Sequence, residues 1–408
     1  MEREFGSRHF TSGQSRYYQP VDLRLGHMKR LRVAVVSDAL YPWHTGGKEM
    51  RYHQLLGRLI EHDMDVVVYS MKWWSETPSP LRTSKGSLTY RALCPQLAMY
   101  KGGRRSTLQA VIFATATLKL LAQEFDVIEA DHMPYLQIIP LRIVAWIKRV
   151  PLVITWHEVW GRETWQNYIG RFGILAAYIE QICVRLPNAI VAASSGTAEK
   201  LVRFGARRVE IAPNSLDLDQ MSEVVGSIAS PNLLFVGRLI EHKHADLAIE
   251  ATRILLERGI DVRLGIVGVG PEEFRLRAQV LESQLEDRVT FFGSLTSQIE
   301  VWTLVKGAKV VLAPSVREGF GMVVAEALAL GTPVVCSDHP DNQSRALVSS
   351  YIGSRIPPFD DMALANATQH WLENTSQRED RQAYFLSRNT NLTIESLVKT
   401  YVRILSNG

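Results

Sequence analysis

The chain has 408 residues, and because single hydrophobic cores stop growing near about 250–300 residues, two or more domains are expected. Hydrophobic residues make up 46% and charged residues 22%, a globular composition that excludes a collagen-like, low-complexity or wholly disordered chain. The net charge of +4 is too small to indicate a nucleic-acid partner, and none is predicted.

The charge is unevenly distributed. Residues 31–216 carry 22 basic and 15 acidic side chains, whereas residues 217–408 carry 18 and 24, so the halves are expected to have different partners. Three cysteines without a CxxC pair exclude a disulfide framework and indicate a reducing, cytosolic setting. The longest charge-free apolar stretch, residues 106–118, is shorter than the roughly 20 residues that span a bilayer, and no secretory signal is expected.

The predicted elements of the first half follow an alternating pattern. Residues 1–29 are polar and aperiodic, and we predict a flexible N-terminal extension there. Short β-branched runs then alternate with helical patterns, in the order LRVAVVS, MDVVVYS, DVIEA, PLVITW, NAIVAA and VEIAP. Apolar strands separated by helices are typical of a parallel sheet covered on both faces. We therefore predict a Rossmann-like domain over residues 30–216.

The alternation restarts at NLLFVG and continues through VRLGIVG, RVTFFG, KVVLAP and TPVVCS. This second series predicts another doubly wound α/β domain over residues 217–389. A last helix, at about 392–405, comes after the second sheet is complete. We expect residues 390–408 to pack back on the first domain.

A glycine pair, Gly46-Gly47, lies between the first strand and a helix that is predicted to begin near Lys48. Such a turn lets a ligand approach the backbone closely and directs free N–H groups at an anion. A simple tight turn is the alternative interpretation. The pattern is not GxGxxG, so the standard dinucleotide fingerprint is absent.

Basic residues follow the first strand of the second series. Arg238 and Lys243 come after Gly237, and at the carboxyl end of a strand they offer the bidentate and point-charge donors that a pyrophosphate needs. Solvated surface bases are the alternative. Gly268 and Gly270 follow the next strand at the same edge, where α/β domains bind ligands.

The strongest signal lies between residues 314 and 328. A helix is predicted to begin near Gly321, and its N-terminus offers partial positive charge and unpaired N–H groups to a phosphate. Glu318, in the preceding turn, is placed to accept hydrogen bonds from sugar hydroxyls. Glu326 lies on an apolar helix face, where burying an unpartnered carboxylate is costly, so a ribose diol is favoured over a neighbouring Arg or Lys as its partner.

Taken in order, these motifs resemble the retaining glycosyltransferases of family 4, which have the GT-B fold. The resemblance covers roughly residues 30–405 and rests on the glycine pair 46–47, the bases after FVGR, the E-x7-E pattern of 318–326 and the PN-x-x-D sequence of 213–217. It implies two Rossmann-like domains that face each other across a cleft. Residues 30–216 would bind the acceptor, and residues 217–389 would bind a UDP- or GDP-sugar.

The resemblance also implies roles for individual residues. His157 matches the family's active-site histidine, although a lone histidine after a strand would otherwise be interpreted as structural. The predicted catalytic residues are His157, Arg238, Lys243 and Glu318. The predicted donor-binding residues are Gly46, Gly47, Arg238, Lys243, Gly268, Gly270, Glu318, Gly319, Phe320, Gly321, Met322, Val323 and Glu326.

The predicted activity is the transfer of a sugar, with retention, to a lipid-linked, polysaccharide or small-molecule acceptor. No carboxylate nucleophile is evident, which favours internal return with the diphosphate accepting the acceptor's proton. No metal and no cofactor are expected. The alternatives are a nucleotide-sugar epimerase of the same fold and a non-catalytic sugar-nucleotide-binding subunit.

Two departures from the family pattern carry expectations of their own. Residue 215 is Ser where the family usually has Gly, so Ser215 is expected to adopt a backbone conformation that glycine adopts more easily. After Cys336, the sequence SDHPDNQSRALV replaces a glycine pair followed by Glu. That departure concerns donor-sugar recognition rather than the diphosphate site.

The basic character of the first half suggests a surface partner. Residues 100–105 are basic and precede an apolar helix, which is either a core helix or an interfacial element for anionic lipid. Five of its apolar residues fall roughly on one face: Leu108, Val111, Ile112, Leu118 and Leu121. Trp73-Trp74 is interpreted as an acceptor platform, an interfacial anchor or core. We expect a cytoplasmic location with peripheral contact with an anionic membrane.

Overall fold

The computed structural model describes residues 30–44, 46–101, 104–227, 229–374 and 377–407. The extension predicted over residues 1–29 lies outside the described residues. Among the helices of the described ranges, none is both long enough and apolar enough to cross a membrane.

The first domain is built on an eight-stranded sheet with a separate two-stranded ribbon. Its strands are β1 (Leu31–Val36), β2 (Met64–Met71), β3 (Leu81–Arg82), β4 (Ser87–Cys94), β5 (Tyr100–Lys101), β6 (Arg104–Arg105), β7 (Val127–Asp131), β8 (Leu152–Trp156), β9 (Ala189–Ala192) and β10 (Val209–Ile211). The eight-stranded sheet has the order β10-β9-β8-β7-β1-β2-β4-β3 and is parallel except for the antiparallel pair β3–β4. The separate ribbon is the antiparallel pair β5–β6. The helices are α1 (Gly47–Leu59), α2 (Thr107–Ala116), α3 (Ile138–Lys148), α4 (Gly161–Ile169), α5 (Gly173–Arg185) and α6 (Ser195–Arg203).

The second domain has a six-stranded, wholly parallel sheet. Its strands are β11 (Leu233–Val236), β12 (Leu264–Val267), β13 (Val289–Gly293), β14 (Val310–Ala313), β15 (Val334–Ser337) and β16 (Gly353–Ile356), in the order β13-β12-β11-β14-β15-β16. The helices that follow in the chain are α7 (Leu218–Glu223), α8 (Ala245–Glu257), α9 (Glu273–Glu282), α10 (Gln298–Gly307), α11 (Met322–Ala329), α12 (Asp361–Glu373), α13 (Arg378–Arg388) and α14 (Ile394–Ser406). The predicted fold class, two doubly wound parallel-sheet domains, is confirmed.

Both sheets are covered by helices on both faces, which explains why their strands are apolar throughout. In β1 the side chains alternate between two cores: Ala34 and Val36 pack on the side of α3, whereas Val33 and Val35 pack on the side of α1. The helix α14 belongs to the second of these cores, since its buried residues, Tyr401 among them, pack with those of α1.

The chain passes between the domains at two adjacent segments. Leu216 pairs with Thr393, and its N–H donates to the carbonyl of Leu392 at 2.8 Å. The expectation for Ser215 is wrong, because its φ is not positive; instead its buried hydroxyl donates to Gln54 at 2.8 Å. The neighbouring Asn214 side chain accepts a hydrogen bond from Arg51 at 2.8 Å, so this crossing is fastened to α1.

Candidate active site

In each sheet the strand order reverses beside the first strand, between β1 and β7 and between β11 and β14. Doubly wound sheets bind ligands in the crevice outside the carboxyl ends of the strands at such a reversal. The two crevices face each other. A Cβ at Gly47 would lie 3.5 Å from Cγ of Met322, and a Cβ at Gly319 would collide with the carbonyl oxygen of His157.

Arg238 and Lys243 lie on the second domain's side of the cleft, after β11. Arg238 is exposed, and no hydrogen bond or ion pair of its guanidinium is found with the residues that the structure describes. Lys243 ends a 3-10 turn and forms an ion pair with Glu318, with about a fifth of each side chain exposed. The structure therefore brings Lys243 and Glu318 together, and Arg238 lies in the same loop after β11.

Gly268 and Gly270 support this loop. A Cβ at Gly268, whose φ is +131°, would collide with the carbonyl of Gly237, and one at Gly270 would collide with the carbonyl of Leu239. Backbone packing against the loop that carries Arg238 therefore requires both glycines. Direct contact of these glycines with a donor stays a prediction.

The segment 318–323 forms the turn into α11. The side chain of Phe320 is buried in the core of the second domain, so only its backbone is left to face a ligand. Gly321 is the N-cap residue of α11, with φ +90°, and a Cβ there would collide with Ser344. Met322 and Val323 form the first turn and are half-buried.

The N-termini of two helices meet across the cleft. On the first domain Gly46, with extended backbone, is the N-cap residue of α1, and Gly47 begins that helix. On the second domain Gly321 holds the same place for α11, and neither N-cap position has a side-chain hydrogen bond. Each helix N-terminus presents free N–H groups and a partial positive charge, so together they suit an anion between the domains.

Glu326 lies within α11, and its side chain is buried. One carboxylate oxygen accepts a hydrogen bond from the amide of Gln298 at 3.0 Å, and no ion pair of Glu326 is found within the described part of the chain. Burial raises the pKa of Glu326 to about 7, and the neighbouring indole of Trp302 opposes that rise. A carboxylate held this way has capacity left for the hydroxyls of a ligand.

His157 lies on the first domain's side, directly after β8. Its Nε2 is buried, has no hydrogen-bond partner and lies 3.8 Å from the carboxylate of Asp131. Burial lowers the pKa of His157 to about 3, so the imidazole is neutral at pH 7. Glu158 points elsewhere and accepts a hydrogen bond from the indole of Trp160 at 2.5 Å, so His157 and Glu158 form no dyad.

A buried charge cluster that sequence reasoning missed surrounds His157. Lys48, in the first turn of α1, contacts Asp131 at 2.6 Å and Asp38 at 2.9 Å, and Arg105 pairs with Asp38. Burial alone would raise the pKa of Asp131, but Lys48 and a hydrogen bond from a histidine hold it well below its usual range. The available signal was positional, since Asp131 ends β7 and Asp38 follows β1 by two residues, both at the reversal point.

His132 is a second histidine that the sequence analysis did not single out. Its Nδ1 lies 3.0 Å from the carboxylate of Asp131, and its ring stacks on Trp156 with centroids 5.2 Å apart. The buried Nε2 of His132, like that of His157, has no hydrogen-bond partner. The two rings are neighbours, with centroids 5.6 Å apart, so two unpartnered ring nitrogens lie at this edge of the first sheet.

Contacts between the domains close the cleft beside these groups. The guanidinium of Arg317 stacks on Trp160 at 4.7 Å and lies 3.6 Å from the carboxylate of Glu158. Lys200 pairs with Asp341, in the segment that replaces the family's glycine pair. That segment also supports the donor side, because the N–H of Glu318 donates to the carbonyl of Asp341 at 3.1 Å.

The two adjacent tryptophans have different surroundings. Trp74 is buried and packs with Trp43 and Tyr90, so neither the platform nor the anchor interpretation applies to it. The Trp73 indole donates to the carbonyl of Asp38 at 2.8 Å and borders the charge cluster.

No group of three or more His, Cys, Asp or Glu side chains suited to a metal ion occurs within the ranges that the structure describes. That no metal or cofactor takes part stays a prediction.

Both domains match known protein families. The family model described as Glycosyltransferase Family 4 matches residues 45–220, and the one described as Glycosyl transferases group 1 matches residues 227–385. The chain is 31% identical over 268 residues to the phosphatidyl-myo-inositol mannosyltransferase of Mycobacterium leprae, covering 64% of this chain and 67% of that one. It is 32% identical over 203 residues to the D-inositol 3-phosphate glycosyltransferase of Pseudarthrobacter chlorophenolicus, covering 46% of this chain and 48%, about half, of that relative.

Solved structures agree on the fold. HepE of Anabaena, in complex with UDP and glucose, superposes with a TM-score of 0.70 at 18% identity, covering 92% of this chain and 100% of that chain. At this identity the likeness shows the two-domain fold alone.

Proposed function

The chain belongs to the family 4 glycosyltransferases, which have the GT-B fold, and we propose that it transfers a hexose from a UDP- or GDP-sugar to an acceptor hydroxyl with retention of configuration. One observation carries the proposal: the N-termini of α1 and α11 oppose each other beside Arg238 and Lys243. These groups complement the negative charge that develops on a departing nucleoside diphosphate.

In the proposed reaction the bond between the anomeric carbon and the diphosphate oxygen breaks first. Arg238 has no partner among the described residues, and Lys243 pairs with Glu318, so the diphosphate takes both cations while Glu318 turns to the sugar hydroxyls. Glu326 accepts hydrogen bonds from the ribose in addition to the one that the amide of Gln298 donates.

A covalent intermediate on a carboxylate is disfavoured on the first domain's side. Asp38 and Asp131 are fully buried and held by Lys48 and Arg105, so their oxygens are poor nucleophiles. We therefore favour internal return, in which the acceptor oxygen attacks the anomeric carbon from the face that the diphosphate leaves. The acceptor's proton passes to the departing diphosphate oxygen.

The neutral His157 has an unpartnered Nε2 and is placed to accept a hydrogen bond from a hydroxyl of the donor sugar or the acceptor. His132, beside it, is buried and holds Asp131 through its Nδ1 at 3.0 Å. Neither role requires a metal ion, and none is proposed.

The test is incubation with a panel of UDP- and GDP-sugars while free nucleoside diphosphate is measured. Release with one donor, increased by an acceptor, supports the transferase, and anomeric NMR of the product checks retention. The names of the two relatives include phosphatidyl-myo-inositol and D-inositol 3-phosphate, so phosphatidylinositol and inositol 3-phosphate are the first acceptors to add. Conversion of the sugar without net diphosphate release would favour an epimerase, and binding without turnover would favour a non-catalytic subunit.

A further inference from the structure

One face of the first domain exposes an unusual amount of apolar surface. It is formed by α2, the 3-10 helix Thr117–Ala122, α3 and α5, which cover the same side of the first sheet, and we refer to it as the helical face. Its exposed large apolar side chains are Leu108, Val111, Leu118, Leu121, Ile139, Ile143, Trp146, Ile147, Ile174, Leu175 and Tyr178. Phe172, between α4 and α5, is exposed beside them. Extended apolar patches on a protein surface mark protein or membrane interaction sites.

The helix α3 shows the feature most clearly. One stripe, which includes Ile138 and Leu141, is fully buried against the sheet. The opposite stripe should be polar if it faced only water, yet Trp146 is 74% exposed and Ile147 52% exposed. A helix that is apolar on both sides while one side is exposed lacks a partner for that side.

Basic residues predominate on the helical face, and the one exposed carboxylate just after its 3-10 helix, Glu124, pairs with Arg32. Its helices contain several basic residues, namely Lys119, Arg142, Lys148 and Arg185, with Arg149 and Arg171 directly beside them. Their single acidic residue, Glu180, is fully buried and accepts hydrogen bonds from Tyr135 at 3.0 Å and from the backbone of Trp160 at 2.9 Å. The exposed helical face is therefore apolar and basic, the composition of surfaces that enter the headgroup region of an anionic bilayer.

We propose that the helical face docks the first domain on an anionic lipid bilayer. Trp146 and Ile147 enter the interface, and Arg142 and Arg149, which line a surface hollow of about 680 Å³ beside them, contact lipid phosphates. A second copy of the chain fits this face less well. A two-fold contact would bring the same basic residues of both copies together, and the exposed carboxylate beside them, Glu124, is already paired with Arg32.

The test is co-sedimentation with vesicles of phosphatidylcholine, with and without about one-third phosphatidylglycerol, at low and at raised ionic strength. The wild type should bind the anionic vesicles and be released by salt. The double substitution Trp146→Ser and Ile147→Ser should weaken binding by about tenfold or more, because two large apolar side chains no longer leave water. The matched control, Phe274→Ser with Leu281→Ser, removes two exposed apolar residues from α9 of the second domain and should bind like the wild type.

Absence of wild-type binding at low salt would overturn the proposal, as would equal binding of the Trp146/Ile147 variant. Sedimentation velocity without lipid checks self-association. A dimer that the same variant dissociates would assign the helical face to a second copy and would also overturn the proposal. The inference goes beyond the proposed transfer reaction, and because these assays measure binding rather than turnover, each can fail without the other.

Discussion

Lys243→Ala is the most direct test of the proposed diphosphate site. About a fifth of the Lys243 side chain is exposed, so its charge acts in a partly desolvated cleft rather than as an ordinary surface charge worth about 1 kcal/mol or less. Removing one preorganised group that stabilises a developing negative charge costs about 2.7–4 kcal/mol. Because Arg238 and the two helix N-termini stay in place, we expect kcat to fall by roughly 10²–10³-fold rather than to vanish.

Lys243 also pairs with Glu318, so the same loss of activity could come from a carboxylate left unpaired. The single variant Glu318→Gln and the double variant Lys243→Ala with Glu318→Gln separate the two causes. If the lysine serves only to neutralise Glu318, its removal should have no further effect once residue 318 is uncharged. Since we assign the lysine to the diphosphate, we expect the double variant to be clearly less active than Glu318→Gln alone.

The assay is diphosphate release at saturating donor, with the thermal unfolding midpoint measured to show that each variant is folded. Arg277→Ala is the matched control. It removes an exposed cation that pairs with Glu273 on α9, and turnover should be unchanged. Full turnover by Lys243→Ala, or equal turnover of the double variant and Glu318→Gln, would refute the assignment.

Three further predictions concern pH, the closeness of the domains and their closure. Burial raises the pKa of Glu129 to about 7 from 4.5, so the native state binds this proton more tightly than the unfolded chain, and the free energy of unfolding falls as pH rises between those values. Between pH 5 and pH 8, Glu129→Gln should remove roughly 3 kcal/mol of that fall, as measured by urea unfolding. An equal change of the unfolding free energy with pH in both proteins would contradict this. Gly319→Ala should lower turnover at least about tenfold, because the added Cβ would collide with the carbonyl of His157 on the other domain. The control Gly57→Ala, whose Cβ would have no atom within 4 Å, should leave turnover unchanged. Equal rates for the two variants would show that the domains need not approach so closely. Arg317→Ala removes the contact with Glu158 between the domains, so the cleft should open and the radius of gyration in solution scattering should increase. An unchanged radius would show that this contact does not hold the cleft closed.

The sequence predicted most of what depends on local pattern. Strands buried on both faces are apolar throughout, so their alternation with helices identified both sheets, and the turn at 318–321 marked the N-terminus of α11. The charge cluster could not be found in this way, because Asp38 and Asp131 come together only through the pairing of β1 with β7, whose paired residues are 94 positions apart in the chain. Gly268 illustrates a different limit. A glycine after a strand suits both a ligand-binding turn and a close approach of two backbone segments, and only the structure shows the close approach to Gly237.

The return of α14 to the first domain affects the order in which the protein can fold during synthesis. Leu397, Tyr401 and Leu405 complete the core on the α1 side of the first sheet, yet ribosomes make them after the whole second domain. All the strands of the second domain's sheet have been made by residue 356, so that domain can fold before α14 exists. Until then, apolar side chains of the first sheet such as Val153 and Val191 are not yet covered by α14. The domain synthesised first is therefore finished last, and during that interval it is the part of the nascent chain most in need of a chaperone.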